Sequence, residues 1–134
     1  LEAALGELAV VRDARSWCSL VPGVTGTTLP RDAAECAALD VTIFAAEFAV
    51  AENGALWVTE PSGVPRAALF LAQHVVGVVS RGELVHDMHE AYARLGARFG
   101  RYGCFMAGPS KTADIEQALV IGAHGARSMT VLIR

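Results

Sequence analysis

The sequence is short of charge. Only 19% of its residues are Asp, Glu, Lys or Arg, and they sum to −3. There is no basic stripe and no Lys/Arg cluster, so a nucleic-acid surface is not expected. Long acidic tails are absent too. Cysteine is scarce: Cys18, Cys36 and Cys104 are scattered without CxxC spacing. That argues against an iron–sulfur cluster or a cysteine-based zinc site within the chain. A sparse, odd count reads as reduced thiols in a cytoplasmic protein. No apolar run approaches the roughly 20 residues that a membrane span needs. No charged segment followed by an apolar one opens the chain as a secretion signal would. The chain begins at Leu1 rather than Met, and the expectation is that its N-terminal part is incomplete.

What is present is apolar. The 134 residues are 53% hydrophobic, enough for one domain with a sizeable core. Leu1 to Leu20 is helix-compatible, with Leu5, Leu8 and Val11 at helical spacing. Val21 to Pro30 is a Pro, Gly and Thr-rich loop. Asp32 is placed to cap a short Ala-rich segment ending at Leu39. Between Val41 and Thr59, Asn53-Gly54 separates two apolar stretches, and both residues tolerate positive φ, so a hairpin is expected there. His74 to Val79 (HVVGVV) has the length and continuity of a strand buried on both faces. A helix is expected to start at Ser80 to Gly82, with Leu84, Val85, Met88, Ala91, Tyr92, Leu95 and Phe99 on a 3.6-residue period. Tyr102 to Ala107 reads as a buried strand, Thr112 to Ile121 as a helix, and Met129 to Ile133 as a closing strand. The second half therefore reads β–α–β–α–β, which implies a parallel sheet with right-handed crossovers. In such sheets ligands bind beyond the carboxyl ends of the strands.

The stretch Gly108-Pro109-Ser110-Lys111-Thr112 would occupy such a position. Backbone N–H groups at a strand–Gly–helix junction can approach an anion, and the helix dipole adds partial positive charge. Ser110 and Thr112 offer hydroxyls and Lys111 a point charge. The spacing is too short for a Walker A loop. The same residues also read as a capped turn: Thr112 or Asp114 can be the N-cap, and Asp114 with Gln117 has capping-box-like spacing. Asp114 and Glu116 would satisfy the dipole unaided and repel a phosphate. Gly122-Ala123-His124-Gly125 ends the segment, with Gly122 or Gly125 suited to the αL position. His124 either meets the last helical carbonyls or points into the cleft.

The run GPSKTADIEQALVIGAHG resembles the signature of the LUD domain family, the LutC/YkgG-type lactate-utilisation proteins. That family shows Gly-Pro-Ser-x-Thr-Ala-Asp-Ile-Glu and then Gly-x-His-Gly. Gly108, Pro109, Ser110, Thr112, Ala113, Asp114, Ile115 and Glu116 match the first part, and Gly122, His124 and Gly125 the second. AEFAVAENGALWV is a second match, through Glu47 and Ala51-Glu52-Asn53-Gly54. The resemblance covers roughly residues 41–134 and implies a single LUD-type domain. Its fold would be an open, mostly parallel α/β sheet with flanking helices, like the group of sugar-phosphate isomerases, CoA-transferases and formyltetrahydrofolate cyclo-ligases. It also implies a role as one component of a system oxidising L-lactate to pyruvate, with the redox cofactors on iron–sulfur partner proteins and none on this chain.

The expected site gathers the Gly108–Thr112 loop, Asp114, Glu116, the His124–Gly125 turn, Asn53 and Gly54 around a small anionic metabolite, with Glu47 and Glu52 as candidate catalytic carboxylates. In the CoA-transferase group a Glu can act as a nucleophile through a covalent acyl intermediate, and Glu52 beside Asn53-Gly54 can equally be a turn residue. His86 and His89 could bind a metal at i, i+3, but they fall beside or opposite the apolar face, so a solvated helix face is expected and no metal site. Three functions remain open: an accessory subunit, a self-sufficient enzyme of the isomerase, CoA-transferase or cyclo-ligase kind, and a metabolite-sensing binding module.

Overall fold

The structure is a computed structural model that describes residues 1–60, 64–96, 102–109, 111–112, 120–121 and 125–134. In chain order its elements are α1 (Glu2–Glu7), α2 (Ala9–Arg12), β1 (Trp17–Ser19), α3 (Ala33–Ala37), β2 (Val41–Ala45), β3 (Phe48–Val50), β4 (Leu56–Thr59), α4 (Ala68–Leu71), β5 (His74–Val79), a 3₁₀ turn (Arg81–Glu83), β6 (Leu84–Val85), α5 (Met88–Leu95), β7 (Gly103–Met106), β8 (Lys111–Thr112), β9 (Val120–Ile121) and β10 (Ser128–Ile133).

Two four-stranded sheets organise the chain. The first is wholly parallel, in the order β1-β2-β5-β10. The second is mixed, in the order β6-β3-β4-β7, with β6 parallel to β3 and the other pairs antiparallel. The apolar run of β5 is explained by burial on both faces. Val75 and Val79 pack with Phe44, Leu56, Val58 and Leu69. Val76 and Val78 pack with Val41, Ile43, Leu5 and Val11 on the side of α1 and α2. The far face of the second sheet, through Phe48 and Val50, packs with Ala91 and Leu95 of α5. Leu56 of the second sheet packs onto Gly77 of the first, where a Cβ would stand 2.1 Å from Leu56 Cδ1 and 3.2 Å from the neighbouring Phe44 ring.

The mostly parallel α/β architecture is as expected, and so is the hairpin at Asn53-Gly54. Asp32 does cap α3, accepting from Glu35 N–H at 2.9 Å. Several elements differ. The first twenty residues hold two short helices and strand β1 rather than one helical segment. The helix expected from Ser80–Gly82 onward begins only at Met88, because Leu84–Val85 pairs with Ala49–Val50 as β6. The strand expected at Tyr102–Ala107 is present as β7, but it joins the second sheet beside β4 rather than the parallel one. The helix expected over Thr112–Ile121 does not reach the ends of that span: Lys111 pairs with Ile121 and Thr112 with Val120 in an antiparallel ladder, and residues 113–119 lie outside the described residues. A helix across that span would hold its ends about 12 Å apart, which strand pairing forbids.

Candidate functional site

Strands β1 and β2 both end at one side of the parallel sheet, and a cleft of about 280 Å³ opens there. Leu20, Pro22, Phe44, Val58 and Leu69 give it an apolar lining, and Glu47, Thr59 and Glu60 give it polar groups. Glu47 is held by its backbone, whose N–H donates to the Trp57 carbonyl at 3.0 Å, while its side chain is exposed. Glu60 accepts from Arg66 Nη2 at 2.7 Å and Nε at 3.1 Å. The Arg66 guanidinium lies 3.8 Å from the centre of the Tyr102 ring. The Tyr102 hydroxyl donates to Cys104 Sγ at 3.5 Å. Burial, reinforced by that bond and by Cys104, pushes the Tyr102 phenol up to about 12. Near neutral pH the phenol therefore keeps its proton and serves as a donor.

The hairpin residues stand at the other end of β3. Phe48 pairs with Trp57 and Ala49 with Leu56, so Glu47 and Glu52 flank opposite ends of the strand. Asn53 Oδ1 accepts from Ala55 N–H at 2.9 Å, and Gly54 has φ of 71°. These are turn duties. The Glu52 carboxylate accepts from Met88 N–H at 3.3 Å, at the first turn of α5. The same turn is capped by Asp87, which accepts from Glu90 N–H at 2.8 Å. That backbone bond is the main cause holding the Asp87 carboxyl below its usual value. His86 and His89 are exposed at this turn. Among the described residues no group of three His, Cys, Asp or Glu could hold a metal ion.

Gly108 adopts φ of 84°, and its N–H donates to Met129 Sδ at 3.2 Å. Because Leu56 pairs with Met106 and Thr59 with Gly103, the chain after β7 runs toward the Asn53–Gly54 end and away from Glu47. Lys111 and Thr112 lie in β8. Lys111 pairs with Ile121 and Thr112 with Val120, and residues 113–119, where the expected helix and its dipole would follow, lie outside the described residues. Gly125 lies just before β10. Ser110, Asp114, Glu116, Gly122 and His124 lie outside the described residues. The expected single site is therefore divided: Gly108 shares an end of the second sheet with Asn53 and Gly54, while Glu47 lines the cleft. Glu60, Arg66 and Tyr102 were not singled out from the sequence. Their only linear signal is that Glu60 and Arg66 bracket the loop containing Pro61 and Pro65.

The LUD domain profile matches residues 31–133. The chain belongs to the LUD domain family. A protein named lactate utilization protein C from Halalkalibacterium halodurans is 30% identical over 92 residues, which are 64% of this chain and 40% of that protein. Its namesake from Geobacillus sp. is 29% identical over 108 residues, 76% of this chain and 44% of the relative. The one from Bacillus pumilus is 32% identical over 107 residues, 75% and 44%. This LUD chain thus spans 40–44% of the length of these relatives. The crystal structure of a DUF162 family protein from Deinococcus radiodurans matches with a TM-score of 0.60 at 22% identity, over 78% of this chain and 58% of that one. That likeness shows the LUD chain's fold. Among its described residues no helix is long and apolar enough to cross a membrane.

Proposed function

We propose that this chain is a component or accessory subunit of a cytoplasmic system that oxidises L-lactate to pyruvate. The redox groups sit on iron–sulfur partner proteins, and this chain takes a small anionic metabolite at the Gly108–Thr112 turn. The observation that carries the reading is the family match over residues 31–133, together with the lactate utilization protein C name shared by its relatives. A second reading, a self-sufficient enzyme with Glu47 as nucleophile, draws support from the place of Glu47 in the cleft at the strand ends.

Thermal stabilisation against lactate, pyruvate, CoA thioesters, sugar phosphates, nucleotides and folates separates these readings. A ligand at a few hundred times its Kd raises apparent stability by about 3 kcal/mol. The expected result is stabilisation by a small anion that is lost in Lys111→Ala. Lys111 is the chain's single lysine, so amine-directed labelling reports on the same position apart from the chain terminus. Stabilisation that survives Lys111→Ala but fails in Glu47→Gln would move the ligand to the cleft, and turnover by the isolated chain would favour the enzyme.

A further inference from the structure

Strand β10 forms one edge of the parallel sheet, with β5 on its inner side and no partner on its outer side among the described residues. Its sequence, SMTVLI, holds no charge and no proline over six residues. Natural sheets usually blunt such an edge with a charge, a proline or a bulge, because unpaired N–H and C=O groups template another strand. Here Val131 and Ile133 are 39% and 48% exposed on one face of the strand. Arg127 precedes the strand, Arg134 follows it, and Arg81 N–H donates to the Arg134 carbonyl at 2.7 Å. All three arginines are exposed, and none has a carboxylate partner among the described residues.

We propose that the outer edge of β10 docks an extended segment of a partner protein, apolar at alternate positions and acidic at both ends. Main-chain bonds to the edge supply affinity, and the side chains select the partner. Arg127 N–H donates inward to the Gln73 carbonyl. At the far end of the strand Arg134 N–H donates inward to the Val79 carbonyl at 3.0 Å, so with the period of two Met129, Val131 and Ile133 turn their backbone groups outward. Charge decides between a partner and a second copy. Antiparallel self-pairing opposes residues that turn the same way, so it centres on one residue, and centred on Thr130 or Val131 it sets Arg127 of one copy within one position of Arg134 of the other, a like-charge contact that acidic ends avoid. The inference holds whether or not the partner belongs to lactate oxidation.

The test uses the whole chain and two labelled peptides, one alternating valine and threonine between glutamate pairs, the other with the same core between lysine pairs. Fluorescence anisotropy is expected to show the glutamate peptide binding at least about tenfold more tightly, with the difference shrinking as salt is added. Val131→Pro removes an outward N–H and leaves the β5 ladder intact, so it should abolish binding with an unchanged circular dichroism spectrum. The double change Arg127→Glu and Arg134→Glu, at exposed positions, should reverse the peptide preference. Equal binding of both peptides, no binding of the glutamate peptide, or a dimer in sedimentation that Val131→Pro dissolves would each overturn the proposal.

Discussion

Thr42 is wholly buried in β2, and its hydroxyl has no hydrogen-bond partner among the described residues. An unsatisfied buried hydroxyl keeps its desolvation cost with nothing to offset it. Valine has nearly the same shape, so Thr42→Val is expected to stabilise the fold by about 1 kcal/mol in urea denaturation; a loss would reveal a hydrogen bond to a residue outside the described set. Asp40 shows the opposite case. Its carboxylate accepts from the N–H groups of Arg15 at 2.8 Å and Ser16 at 3.1 Å, which join the start of β1 to that of β2. These backbone bonds, that of Arg15 first, hold the Asp40 carboxyl below its ordinary 3.8. A group depressed in the folded state stabilises it above the unfolded value, and the benefit disappears as pH falls through the lowered folded value. Asp40→Asn should therefore lower the urea midpoint at about pH 6 and by much less at about pH 3. A gap that stays constant across that range would contradict the assignment. Cys18 and Cys36 are fully buried, and burial pushes both thiols up, so neither is placed as a nucleophile.

At the scale of elements, legibility followed how local the determining contacts are. Asn53-Gly54 marked its hairpin because the turn's needs lie within the turn: Gly54 has positive φ and Asn53 bonds two residues on. Gly54→Ala should accordingly cost about 1 kcal/mol or somewhat more, measured by the shift in denaturation midpoint, since alanine resists that conformation. β5 was legible because two-sided burial writes itself as a continuous apolar run. Leu84–Val85 was not, because its apolar residues fit the helical period of α5 equally well, and only pairing with β3 makes it a strand. The same holds for Lys111–Thr112, whose partner lies eight or more positions along the chain. Strand β1 was missed for a similar reason: three residues are too few to show a period, and their place is fixed by β2.

At the scale of the molecule, the open parallel α/β class was legible from element order, but the division into two sheets was not. Strand β7 could have continued the parallel sheet; its pairing with β4 is a tertiary choice that no window of sequence contains. The candidate site suffered from that choice. Motif residues adjacent in the family signature are parted once β3 is drawn out straight, so that Glu47 and Glu52 serve different ends of the second sheet. Conversely, Glu60, Arg66 and Tyr102 come together only because β4 and β7 are neighbours. The arrangement suits a protein that acts with others: a cleft lined by Glu47 and Glu60, and a sheet edge with no outer partner among the described residues. The direct test of that account is L-lactate-dependent reduction of an artificial electron acceptor by the iron–sulfur proteins of lactate oxidation, assayed with and without this chain. The account predicts no turnover by this chain alone and a rate in the mixture that rises with its addition to a stoichiometric plateau. Lactate oxidation by the partners at the same rate without it, or by this chain unaided, would contradict the central claim.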